Sequence, residues 1–179
     1  MKRAFIFFGA FFFCACTSVN ASSNYFTRDF LAKAIGNPSL RYEVAARDII
    51  FDTTRAEGLR IYGGVIITET MSSDTVNMLA MNSIEYMNYN VILLVERIDG
   101  ISYVRDFVII EKLHPETHLA SGPVEINGEY FDWETLVVVN RDWTRRPYTD
   151  DISQAFRVNV STRRIEPYLF RTIRLFSEV

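Results

Sequence analysis

VILLVERIDGISYVRDFVII, running from Val91 to Ile110, holds two apolar runs joined by Asp99-Gly100. Aspartate followed by glycine between such runs is a strong short-range signal for a β-hairpin, because both central turn positions require positive φ. Val91 to Ile98 and Ile101 to Leu113 therefore read as paired strands. Val91 to Val95 is apolar at every position, so this strand buries both faces and needs cover on two sides. A second sheet or a helix can supply that cover.

The pattern repeats downstream. Val124 to Ile126 and Glu129 to Val139 flank Asn127-Gly128, and Leu136 to Val139 is again apolar throughout. Ala155 to Val160 and Arg163 to Tyr168 surround the weaker turn Ser161-Thr162. The span Ala155 to Glu166 looks like the terminal hairpin of many exported domains, which carries no function with it. Arg171 to Phe176 forms a last strand, and Pro167 marks an edge or a strand end. Upstream, Leu59, Ile61, Val65 and Ile67 alternate around Gly63-Gly64, glycines that signal a bulge or a close backbone approach. Ile49 to Asp52 is a short apolar run. Val76 to Tyr86 follows neither the helical nor the strand period.

Only Asn24 to Gly36 has clear helical spacing. Phe26, Phe30, Leu31, Ala34 and Ile35 form its stripe, Thr27 can cap it, and Gly36 with Pro38 stops it. Successive hairpins without long intervening helices imply a mostly antiparallel β domain, sandwich or barrel-like, with one N-terminal helix. The alternative is an α+β fold in which one curved antiparallel sheet packs on helices, as in cystatin-like or nuclear-transport-factor-like folds. Residues 24–179 are expected to form a single globular domain, a length that fits the usual ~100–200 residues.

Residues 1–21 have another origin. Lys2 and Arg3 precede an uncharged apolar run, Ala4 to Phe13, which suits a signal peptide and falls short of the ~20 residues of a spanning helix. Two processing readings follow. Phe13-Cys14-Ala15-Cys16 resembles a lipobox, with Cys16 as the lipid-bearing residue and Thr17 to Ser23 as a tether. Phe13 and Cys14 depart from that pattern. Alternatively, Val19-Asn20-Ala21 is a small-x-small site, and cleavage after Ala21 releases a soluble protein. Both cysteines of the chain lie in this leader, so no disulfide is expected in the folded part.

The chain has 19 basic and 22 acidic residues, and loss of Lys2 and Arg3 makes the remainder more acidic still. Such a balance offers no footprint for nucleic acid, whose binding depends on phosphate neutralisation. Aromatic residues make up 14% of the chain, an excess that suits strands and also sugar- or partner-binding surfaces.

Three clusters are candidates for chemistry. His114, Glu116 and His118 carry imidazole and carboxylate groups suited to zinc-like ions, or are simply solvated in a loop between hairpins. Asp132 and Glu134, with Tyr130 beside them, would stand ~7 Å apart on one strand face, near the separation glycosidase carboxylates use. An ordinary solvated face has the same pattern. Trp143, Arg145, Arg146 and Tyr148 combine aromatic and guanidinium groups of the kind found at binding hot spots. They could equally pair internally with Asp150 and Asp151. No Gly-rich phosphate loop or nucleophile elbow is present, and no cofactor is expected. The expectation is an exported cell-envelope protein, joined to a membrane through a lipid anchor and acting as a binding or structural module. An envelope protein partner fits that role. The alternative is an envelope enzyme, either metal-dependent or a carbohydrate-acting hydrolase.

Overall fold

The computed structural model describes residues 24–71, 76–131, 135–141 and 147–176. Helix α1 (Arg28–Gly36) begins where Thr27, extended and non-helical, accepts a hydrogen bond from the Phe30 backbone N–H through its side chain. The helix thus starts four residues later than its apolar stripe suggested. Gly36 ends it, and after Pro38 a single turn, α2 (Leu40–Glu43), follows.

Strands β1 (Arg60–Met71), β2 (Val76–Tyr86), β3 (Tyr89–Ile98) and β4 (Ile101–Glu111) form an antiparallel meander. Val76 to Tyr86, ambiguous in its periodicity, is a strand. The turn after it carries positive φ at Met87, 53°, and at Asp99 and Gly100 φ is 49° and 83°, as the hairpin reading requires. Gly64 sits beside a register shift at Ile61/Gly63, and a Cβ there would meet the Met81 carbonyl oxygen at 2.6 Å. Close backbone approach explains that glycine.

Eight shorter strands follow: β5 (His118–Ser121), β6 (Val124–Ile126), β7 (Glu129–Phe131), β8 (Thr135–Val139), β9 (Tyr148–Thr149), β10 (Ile152–Asn159), β11 (Arg164–Pro167) and β12 (Ile173–Phe176). They divide between a middle sheet ordered β11-β10-β8-β5 and an outer sheet ordered β7-β6-β12-β9. Glu129 to Val139 is therefore not one strand. Its first part belongs to the outer sheet and its last to the middle sheet, because the apolar residues of Leu136 to Val139 have to be covered on both faces. Asp132 and Glu134 lie outside the described residues.

The layers are visible in the side chains. Val91, Leu93 and Val95 join Phe26, Leu31 and Phe107 in a cluster beneath α1. Ile92 and Leu94, on the opposite face, pack with Leu136, Val138, Phe156 and Ile165 of the middle sheet. Val137 and Val139 then meet Val124, Ile126 and Leu175 of the outer sheet. The order is helix, sheet, sheet, sheet. The molecule is mostly β, a sandwich extended by a third sheet, and no sheet closes into a barrel among the described residues. Both covers proposed for the two-faced strands, a helix and a second sheet, are present together. Each fully buried Val or Leu in these layers contributes about 1.5–3 kcal/mol of transfer free energy.

One irregularity ties the layers together. β3 and β4 lose register between Leu94↔Asp106 and Val95↔Val104, leaving Arg105 as the extra residue of a bulge. Val104 and Phe107 consequently both face the helix, and Asp106 turns toward the middle sheet, where it is wholly buried. Arg41 of α2 donates to both its oxygens at 2.8 Å, Arg164 donates at 3.3 Å, and the Ile165 and Phe107 backbone N–H groups at 2.7 and 2.9 Å. Arg41 also donates to the Ile165 carbonyl at 2.6 Å. The Arg41–Asp106 pair thus occupies both backbone groups of Ile165 on edge strand β11, a position open to unwanted pairing. Its hydrogen bonds to Asp106 hold the Arg41 guanidinium above its usual pKa.

Candidate functional site: the face of the outer sheet

On β6, Val124 and Ile126 point into the core, so Glu125 faces out. Period-two alternation places Arg174 of β12 and Tyr130 of β7 on the same side, in register with it: Tyr130↔Glu125↔Arg174. One step along, Phe176 pairs with Tyr148 of β9. The Phe176 ring stands 6.1 Å from that of Tyr130 and 6.3 Å from that of Tyr148, tilted by 42° and 54°. Tyr130 is 62% exposed and Tyr148 43%. The Arg174 guanidinium lies over the Tyr148 ring, 4.6 Å from its centroid.

A groove of about 430 Å3 adjoins this face, lined among others by Glu125, Asp150, Arg171, Thr172 and Arg174. The chain leaves the outer sheet after Thr149 and enters the middle sheet at Ile152, so among the described residues the β9 edge of β12 is paired only at Leu175 and Phe176. The Asn127 side chain fixes the far wall of the groove. Asn127, in the left-handed turn between β6 and β7, accepts from the Arg171 and Thr172 backbone N–H groups at 2.8 and 3.2 Å. Among the described residues, Glu125, Asp150 and Arg171 take no side-chain ion pair or hydrogen bond, and Arg174 makes only its ring contact.

The predicted binding cluster is placed here in part. Tyr148 belongs to this face, whereas Trp143, Arg145 and Arg146 lie outside the described residues. Sequence reasoning missed Glu125, Arg174 and Phe176. Alternation within each short strand separates inward from outward residues. What brings the four strands side by side is a strand order that no local pattern encodes.

The histidine segment lies elsewhere, against the end of the helix-side sheet. Thr117 donates its backbone N–H to the His114 carbonyl at 3.0 Å and accepts from the His114 backbone N–H at 3.2 Å through its hydroxyl, closing a turn around Pro115. His118 opens β5 rather than ending a loop, and its Nδ1 lies 2.9 Å from the Glu116 carbonyl oxygen. Among the described residues, no three His, Cys, Asp or Glu side chains form a group able to hold a metal ion. His114, Glu116 and His118 are thus close in sequence without forming a ligand set. Glu116 and His118 border a cleft of about 400 Å3 with Tyr62, Glu85, Asn90 and Lys112. Glu85 accepts from Lys112 and the Tyr62 hydroxyl, and Arg60 lies 3.5 Å away. Burial, and after it the Arg60 charge, push the Lys112 ammonium below its usual pKa. Cys16 lies outside the described residues. No helix among the described residues is long and apolar enough to cross a membrane.

No known family, characterised protein or solved structure matches this chain.

Proposed function

We propose that this chain is exported, is held at a membrane by a lipid on Cys16, and acts as a binding module of the cell envelope. Its leader supports export: two cations, an apolar run of signal-peptide length and a cysteine after a small residue. The observation that carries the binding role is the solvent face of the outer sheet. There, two exposed tyrosines stand beside Glu125 and Arg174, the adjoining groove adds Asp150 and Arg171, and the four charges have no ion-pair partner among the described residues. Tyrosine and arginine are typical anchors of binding surfaces, tyrosine because its large rigid ring loses little entropy on contact and arginine because its planar guanidinium offers five donors. A lipid on Cys16 would keep such a surface near its target; one acyl chain binds membranes only marginally, and several bind stably.

The two parts of the reading have separate tests. Labelling with an alkyne fatty acid and mass spectrometry of the mature protein should find an acylated N-terminus at Cys16, absent in Cys16→Ala. An unlipidated N-terminus at Ser22 would remove the anchor. For the binding role, washed cell envelopes should retain added leader-free protein (residues 22–179, with no lipid to hold it) and release its Tyr130→Ala and Tyr148→Ala variants of unchanged thermal stability. Equal retention of all three would remove the outer sheet from the function.

A further inference from the structure

We infer that the ligand of the outer-sheet face is an uncharged polysaccharide chain, an assignment that rests on the proposed binding role of that face. Three features point to it. Tyr130, Phe176 and Tyr148 form a continuous row of rings, and aromatic faces accept the polarised C–H groups of a pyranose ring. Alongside stand two carboxylates, Glu125 and Asp150, and two guanidiniums, Arg171 and Arg174, around one groove. A carboxylate only accepts hydrogen bonds and a guanidinium only donates them, whereas a hydroxyl does both. A ligand rich in hydroxyls therefore satisfies every one of these groups without carrying charge itself.

The signs of the charges argue against the other classes. Two acids and two bases balance, so the groove attracts neither an anionic nor a cationic chain at long range. Nucleic acid would also meet a molecule with more acidic than basic residues. A protein partner would have to bury the two carboxylates, Glu125 and Asp150, at the middle of its interface, where acidic residues are depleted because unpaired burial is costly. Sugar hydroxyls avoid that cost by replacing the hydrogen bonds of water one for one.

The geometry limits the kind of chain. Four strands at ~4.8 Å spacing give a face roughly 14 Å across, enough for a short oligosaccharide segment. Ring tilts of 42° and 54° rotate each stacking plane against the next. Such a row follows a single twisted chain in solution and does not lie flat on a crystalline surface.

Affinity electrophoresis of the full-length protein in detergent tests the assignment, with uncharged β-glucan, pullulan and galactomannan in the gel and alginate as the anionic control. At least one uncharged polymer should retard the wild-type protein. Tyr130→Ala and Tyr148→Ala should each weaken binding roughly tenfold or more, and Tyr148→Phe, which keeps the ring, should retain it. Thermal unfolding of each variant shows whether it is folded. Retardation by no uncharged polymer, preference for alginate, or retardation that both alanine variants keep would overturn the inference. If envelopes release the tyrosine variants while no uncharged polymer binds the wild type, the binding surface stands and the polysaccharide assignment falls.

Discussion

Asp106 and Glu125 are both carboxylates on β-strands with arginines as neighbours, yet they stand in opposite situations. Asp106 is wholly buried between two sheets and accepts from two arginines and two backbone N–H groups. Glu125 faces solvent opposite Arg174 and takes no partner among the described residues. A buried charge persists only when its hydrogen-bonding capacity is filled from within the fold. A charge at the surface stays hydrated until a ligand replaces the water. Saturation, and not residue type, separates the group that holds this molecule together from the group available for contact.

Removing Asp106 should give the largest effect. Asp106→Ala leaves Arg41 partly buried without its anion and opens the edge of β11, so a loss of about 3–5 kcal/mol is expected in urea unfolding. A loss below about 1 kcal/mol would mean that water substitutes for the carboxylate and the contrast with Glu125 is unreal. Leu94→Ala acts at the same junction without charge. It removes a fully buried side chain between the helix-side and middle sheets and should cost about 2–5 kcal/mol. Were it neutral, the two sheets would not share the core described above.

A third carboxylate lies between the extremes. Glu96 accepts from Arg105 at 2.7 Å and from Arg163 at 3.1 Å, tying β3 to the turn between β10 and β11. Burial pushes its pKa upward, but the two arginines outweigh that and hold it below the ordinary value of 4.5. The stabilisation is therefore complete above about pH 4.5 and disappears as pH falls through the lower folded-state value. Arg163→Ala should flatten part of this acid limb and cost less than about 1 kcal/mol near neutrality, since the pair is partly exposed. Identical acid limbs in the two proteins would show that the contact does not hold in solution.

The smallest effect on stability belongs to the outer face. Glu125→Gln and Arg174→Ala should change the unfolding free energy by no more than about 0.5 kcal/mol, as surface substitutions do, while weakening envelope retention of the leader-free protein. A destabilisation above about 1 kcal/mol would place Glu125 with Asp106 as a structural group.

Much of this architecture is written locally. Asp99-Gly100 and Asn127-Gly128 adopt the positive φ values their residue types favour. Val91 to Val95 and Leu136 to Val139 declare by composition that both their faces are covered. Met87 and Arg163 are counterexamples: each takes positive φ without being glycine, asparagine or aspartate, so the residue type at those positions does not announce the turn. The bulge at Arg105 is likewise silent. It reverses the direction of Asp106, which by simple alternation would share the face of Val104.

Turn chemistry and apolar periodicity are properties of neighbouring residues, and from them the chain alone determined a mostly antiparallel β fold with one helix at its start. The order of strands in the middle and outer sheets depends on which long-range pairings bury the most surface, a competition among distant segments. Only the tertiary structure could settle that competition, splitting Glu129 to Val139 between two sheets and setting Arg174 beside Glu125. The same competition gave one carboxylate a full set of partners and left the other facing water.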